Sequence, residues 1–322
     1  MRSLFRTLIP VLLLLGGAAQ AAQDSYPTRP VDVVVPIAPG GSNDIVARAL
    51  AEQLSKILGQ SFVVSNRPGG SGIIGLSYVV NAPADGYTLA ISPAAFIATN
   101  PSLFKSLPYD SEKDFAPIAN VVTAPRVLVV RSNSKYKTVA ALVADAKRNP
   151  GKLNYGSGGE GTPHHLGGVL FADQNGLELV HVPYKGGAPA MNDLLAGHID
   201  MMFAAASEVK PYVESGRIRA LAIAGKERSA ILPDVPTTTE IGFGDLELST
   251  WTGLFGPAGM PQAAIERLNA AINKALKGDL GERFKTLGYT PIGGTPEEFK
   301  VQIQKDIKMF ERLIEKSGIK KQ

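Results

Sequence analysis

Apolar residues recur along the chain in two alternating rhythms. A short β-branched run, Val31 to Val35, is followed by Ile45, Val46, Ala49, Leu50, Leu54 and Ile57, which fall on one helical face and end at Gly59. The same couplet returns many times. Strands are predicted at Phe62 to Ser65, Thr88 to Ile91, Ile118 to Thr123, Val127 to Val130, Leu153 to Tyr155, Leu179 to Val182, Ile199 to Phe203 and Ile218 to Ala224. Helices are predicted at about 74–80, 139–148, 163–174 and 188–196, with a short one capped by Ser207 and ending at Gly216. Repeated βα units predict an α/β fold built on mainly parallel sheets. After Trp251 come two amphipathic helices, near 262–276 and 296–315. They have no sheet of their own and are expected to return over the first half.

Between strands and helices lie loops rich in Gly and Pro. The first, Pro36-Ile37-Ala38-Pro39-Gly40-Gly41-Ser42-Asn43-Asp44, is the one around which the reading is organised. Ser42 or Asn43 can cap the following helix, and Asp44 sits in its first turn. Glycines 40 and 41 let backbone N–H groups approach a ligand, and a helix N-terminus favours anions. An anion cradle and an ordinary capped βα turn both fit. A second such loop runs from Gly156 and Ser157 through Gly159 to Thr162-Pro163, where Thr162 is a good N-cap and Pro163 a good first helical residue. Loops at 92–95, 184–187 and about 204–207 complete the set. Ligands of open parallel sheets bind at the strand C-termini, so these loops are expected to face one another across a cleft.

The N-terminus breaks this pattern. Arg2 and Arg6 precede the apolar run Leu8 to Leu15, and Ala19-Gln20-Ala21 fits a small-x-small cleavage site. That reads as a secretory signal peptide, residues 1–21, too short in its apolar run to span a membrane. No later stretch is long and apolar enough to span. The 322 residues hold no Cys, which excludes disulfides and a lipidated cysteine and leaves stability to the core. An exported, Cys-free chain long enough for two domains points to a Gram-negative periplasm. The formal charge is +4, two of it from Arg2 and Arg6, and no basic run is interleaved with aromatics, so nucleic acid is a poor partner.

Candidate chemistry is sparse. Ser157 with His164 and His165 reads weakly as nucleophile and base, since no acid stands at an evident third position. His165, one turn into its helix, is expected to pack or hydrogen-bond near the cleft. The four histidines form no cluster with metal-ligand spacing, so no metal is expected. The glycine loops match neither GxxxxGK[ST] nor GxGxxG, so no nucleotide cofactor is expected either. Lys185 is the one cation in a predicted cleft loop, and reads either as partner of a second ligand carboxylate or as a solvated lysine.

Several stretches resemble the Bug family, the substrate-binding proteins of tripartite tricarboxylate transporters. They are Pro36-x-x-Pro39-Gly40-Gly41-x-x-Asp44, Asn66-Arg67-Pro68-Gly69, Asp85-Gly86-Tyr87-Thr88-Leu89, Tyr155-Gly156-Ser157-x-Gly159 with His165, Val182-Pro183-Tyr184-Lys185-Gly186, Leu232-Pro233-Asp234-Val235-Pro236-Thr237 with Glu240-x-Gly242, and Trp251-x-Gly253-Leu254-Phe255-x-Pro257. They keep their order over almost the whole chain after residue 21. The resemblance implies a two-domain periplasmic-binding-protein (Venus flytrap) fold that closes on a small carboxylate and delivers it to a membrane permease. It carries no catalytic activity and no cofactor, and a monomer is expected. Residue 37 is Ile where many members carry an aromatic.

On this reading residues 22–123 and 250–322 form one domain and 124–249 the other, with hinges near 123–126 and 248–251. The expected ligand-facing residues are Pro39, Gly40, Gly41, Ser42, Asn43, Asp44, Ser92, Ala94, Ser157, Gly159, Thr162, His165, Lys185 and Ala205, with the N–H groups of Gly41, Ser42 and Ser157 holding the carboxylate. Two rivals stand beside it: a ligand-sensing partner of a signalling protein, and a secreted hydrolase.

Overall fold

The computed structural model describes residues 26–321 apart from 185, 245 and 247–249, so the expected signal peptide lies outside the described residues. The first half opens with β1 (Val31–Val35), α1 (Ser42–Leu58), β2 (Phe62–Asn66), α2 (Ile73–Val80) and β3 (Thr88–Pro93). A π-helical turn, Ala95–Thr99, leads into α3 (Asn100–Leu103) and then β4 (Phe115–Thr123). The chain crosses at Ala124-Pro125 into β5 (Arg126–Arg131), α4 (Val139–Arg148), β6 (Asn154–Ser157), α5 (Pro163–Asn175), β7 (Val180–Pro183), α6 (Gly187–Ala196), β8 (Met201–Ala205), α7 (Ala206–Glu214) and β9 (Ile218–Ala224). It returns through β10 (Trp251–Pro257), α8 (Gln262–Leu276), α9 (Asp279–Thr286), β11 (Thr290–Gly293) and α10 (Pro296–Ser317).

Two separate sheets result. The six-stranded one has the order β11-β4-β10-β3-β1-β2 and the five-stranded one β7-β6-β8-β5-β9. The parallel pairings expected from the βα rhythm are present: β1 with β2 and β3, and β6 with β7 and β8. Both sheets are nonetheless mixed. Strand β10 runs antiparallel to β3 and β4, and β5 antiparallel to β8 and β9. Each of these enters its sheet from a crossing between the two, so it runs against the strands laid down by βα units. The segment after Trp251 thus does return to the first half, but it supplies a fully buried inner strand and the edge strand β11 as well as helices.

Burial follows the sequence pattern closely. Four of the five residues of β1 are buried, as a strand covered on both faces requires. Val46, Leu50 and Leu54 of α1 are buried against this sheet, and Gly59 takes the left-handed conformation that ends the helix. One apolar cluster is shared by both halves, with Val34, Trp251 and Phe310 from one and Leu128, Leu166 and Phe203 from the other.

Two caps differ from expectation. Gly41 stands at the N-cap of α1 with no side-chain cap, because the Asn43 amide oxygen instead accepts from Thr252 Oγ1 on β10. Ala205, not Ser207, occupies the N-cap of α7, where Glu208 reaches back to accept from the Ala205 N–H.

Candidate ligand-binding site

The loop between β1 and α1 is built around Asp44. Its buried carboxylate accepts from Gly40 N–H at 2.9 Å, Arg48 Nε at 2.9 Å and Asn66 Nδ2 at 2.8 Å. Burial pushes its pKa up, but the bonds from Arg48, Gly40 and Asn66 outweigh that and hold it below the ordinary carboxylate range. Asn66 also donates to Ile37 O at 3.1 Å, which pins both ends of the loop. Gly40 has φ +82°, and a side chain at Gly41 would meet Ile37. Asp44 therefore shapes the loop and consumes the Gly40 N–H.

The loop between β6 and α5 is held by histidines. Ser157 is fully buried; its Oγ lies 2.6 Å from His181 Nε2 and accepts from Gly159 N–H at 3.0 Å. Thr162 donates to Gly159 O at 2.7 Å and caps α5, as its sequence position predicts. His165 Nδ1 accepts from Gly161 N–H at 3.1 Å, and its ring stacks on His181 with centroids 3.8 Å apart. Burial, then the neighbouring His181, pushes His165 down to about 4; burial lowers His181 too, with Glu160 opposing. Both imidazoles are neutral at pH 7. The Ser157–His181 contact has the distance of a nucleophile–base pair. However, Ser157 has no exposed surface, and no carboxylate bonds His181 among the described residues.

Between the two sheets lies a cavity of about 180 Å³. Asn43, Ala94, Trp251, Thr252 and Phe310 line it from the first side, and Gly161, Pro163 and Leu166 from the second. Of the expected site residues, Asn43 and Ala94 reach it directly. Ser92 is buried beneath, with its hydroxyl on Pro93 O. Pro39, Gly40, Asp44, Ser157, Gly159, Thr162 and His165 form the loops behind it and are not in its wall. Gly41 and Ser42 start α1 beside Asn43, and the Ser42 side chain lies outside what is described. Ala205 pairs with Arg126 across the β5–β8 ladder. Lys185 lies outside the described residues.

The cation in this wall is Arg126, the first residue of β5. Its Nε and Nη1 are buried and have no hydrogen-bond partner among the described residues. Desolvation pushes its pKa down, opposed by the negative charge of Glu208. Glu208 is itself engaged, with His164 Nε2 at 3.2 Å and the Ala205 N–H at 3.2 Å. Buried guanidinium nitrogens without bonds are expensive, and an incoming anion would relieve them. Sequence reasoning missed Arg126 because it reads as the polar end of the strand Arg126-Val-Leu-Val-Val-Arg131. Its position directly after the crossing was the available signal.

The crossings run side by side here. Thr250 Oγ1 donates to Ala124 O, and Ala124 N–H to Thr250 O at 3.4 Å. A cavity between two α/β domains joined by paired crossings defines a solute-binding protein of the periplasmic-binding type.

Residues 46–319 match the model of the tripartite tricarboxylate transporter family receptor, TctC. The chain is 39% identical over 313 residues to a UPF0065 protein in the tcbD-tcbE intergenic region of Pseudomonas sp. (strain P51), covering 96% of this chain and 93% of that relative. Among solved structures, it matches the periplasmic binding protein BugD with a TM-score of 0.70 and 34% identity over 92% of this chain and 100% of that one. It matches an R. palustris protein solved with adipate with a TM-score of 0.75 and 35% identity, over the same shares of the two chains. The chain belongs to the TctC receptor family, whose members are periplasmic solute-binding receptors rather than enzymes.

Proposed function

We propose that this protein captures a small carboxylate in the periplasm and delivers it to a permease of the tripartite tricarboxylate type. Residues 1–21 serve as its export signal. The observation that carries the reading is the guanidinium of Arg126, whose Nε and Nη1 have no hydrogen-bond partner among the described residues, in a cavity between the two sheets. Residues 124–249 move as one body against 22–123 and 250–322, hinged where Ala124 and Thr250 meet. In the closed form the N-termini of α1 and α5 flank the ligand, and their dipoles add to the field of Arg126. The adipate bound to the R. palustris relative supports a carboxylate ligand. The monomer suffices, since both walls of the cavity come from one chain.

A thermal-shift screen of the mature protein tests this. A carboxylate that binds only the native state raises the melting temperature by an increment that grows with concentration, while the matching amide does not. A flat response to mono-, di- and tricarboxylates alike in ligand-stripped protein would overturn the assignment.

A further inference from the structure

We infer that residues behind the paired crossings, Thr290 and Ile292 on one side and Ala224 to Glu227 on the other, set how tightly the protein holds its ligand without touching it. They do so by governing how far the two domains can part. This rests on the reading of the domains as hinged about the crossings. Three observations carry it.

The first is a second cavity, of about 250 Å³, that shares a wall with the first. Ala124 and Trp251, both at the crossings, line the two cavities alike. Their neighbours divide between them. Arg126 lines the first cavity and Pro125 the second; Tyr289 lines the first, and Thr290 and Ile292 the second. Successive residues of extended chain point to opposite sides, so the cavities lie in front of and behind the crossings.

The second is that the rear cavity, like the front one, is walled by both domains. Thr290, Ile292 and Gln302 come from the first, and Ala224, Gly225 and Glu227 from the second. With the pivot between the cavities, a rotation that parts the front walls brings the rear walls together. The front opens only as far as the rear can narrow, because packed side chains resist interpenetration.

The third is room. Ile292 is a large apolar side chain that is 47% exposed, so its outer face has no packed neighbour to displace. An empty cavity of roughly 150 Å³ admits benzene, and this one is larger. A bulkier side chain at position 292 or 290 is therefore accommodated in the arrangement described, and obstructs the one in which the front is open.

The test is Ile292→Trp in the ligand-stripped mature protein, titrated calorimetrically with succinate, adipate, citrate and benzoate. The dissociation constant of each carboxylate that binds the parent is expected to fall about three- to tenfold and by a common factor, since apparent affinity scales with the fraction of protein already in the binding-competent arrangement. Unchanged or weaker binding, or a change confined to one ligand, overturns the inference and leaves the carboxylate-binding function standing.

Small-angle scattering of the ligand-free proteins supplies an arm that needs no ligand. The radius of gyration of Ile292→Trp is expected to be smaller than that of the parent, an effect that a merely structural isoleucine would not produce. An unchanged radius overturns the inference whatever the affinities do. Should none of the carboxylates bind the parent, the proposed function falls, and the scattering comparison alone decides between a rear wedge and none. Thr290→Phe, which enters the same cavity from the same strand, is read by the same criteria if the tryptophan variant folds poorly.

Discussion

Individual side chains in this protein divide between those that build loops and those that face the cavity, and their burial alone does not separate the two. Asp44 and Arg126 both have buried polar atoms, yet Asp44 has three hydrogen-bond partners and Arg126 Nε and Nη1 have none among the described residues. The stacked His165–His181 pair belongs with the loop builders. Held neutral with a pKa of about 4, His165 binds fewer protons in the folded state than in the unfolded one wherever the pH lies between about 4 and 6.5. Its contribution to stability is therefore complete above pH 6.5 and is lost as the pH falls toward 4, by about 3 kcal/mol if the whole shift is realised. Melting temperatures recorded from pH 7.5 to 4.5 should drop in the parent more steeply than in His165→Asn, whose amide oxygen can still accept from Gly161. Superimposable profiles would show that His165 is charged within the fold.

Elements owe their limits to local chemistry. The last helix, α10, begins with a capping box: Thr295 Oγ1 accepts from Glu298 N–H at 3.1 Å, and Glu298 accepts from Thr295 N–H at 2.7 Å. The helix carries Phe299, Ile303 and Phe310 into the shared core, so its start also sets the position of a cavity wall. Thr295→Ala should cost about 1 kcal/mol in denaturant unfolding with an unchanged m-value. An effect under ~0.3 kcal/mol would mean that packing of the apolar stripe alone holds this end. The π-helical turn at Ala95–Thr99 sits where β3 delivers Ala94 and Ala95 to the cavity, a frequent place for such a turn.

At the scale of the whole molecule, the two domains meet at the paired crossings, in the shared apolar cluster and through α10. Lys316 and Arg312 on α10 both pair with Asp173 on α5, on the other side of the cavity. Asp173 is largely buried while its partners are half-exposed, so the contact is a modest clasp. Asp173→Asn should raise the dissociation constant of the preferred carboxylate two- to fivefold through a faster off-rate, within the roughly 1 kcal/mol such pairs supply. Stopped-flow release measured in the variant checks this; an unchanged off-rate would show that the clasp does not resist opening.

What the sequence determined by itself is what depends on neighbours along the chain. A continuous β-branched run placed β1, and the period-3.6 rhythm placed α1, α4 and α8, almost to the residue, because a strand buried on both faces and a helix buried on one are each written locally. Thr162 and Thr295 sit before an apolar run and an inward turn, so their caps were readable or recoverable from spacing. The Gly-rich loops, likewise, were recognisable as βα turns. The tertiary structure alone decided which loop groups face the cavity. Asn43 turned from capping α1 to meet Thr252, 209 residues away, and Ser157 turned inward to His181. The antiparallel entry of β10, and with it Trp251 and Thr252 in the cavity wall, depends on how the chain returns between sheets. Arg126 is the clearest case. A strand-end arginine is ordinary in sequence, and only the closing of two domains over it, with no partner for its Nε and Nη1 among the described residues, turns it into the charge that an anion would answer. Periodicity reports which face of an element is buried, whereas what it is buried against is a property of the assembled chain.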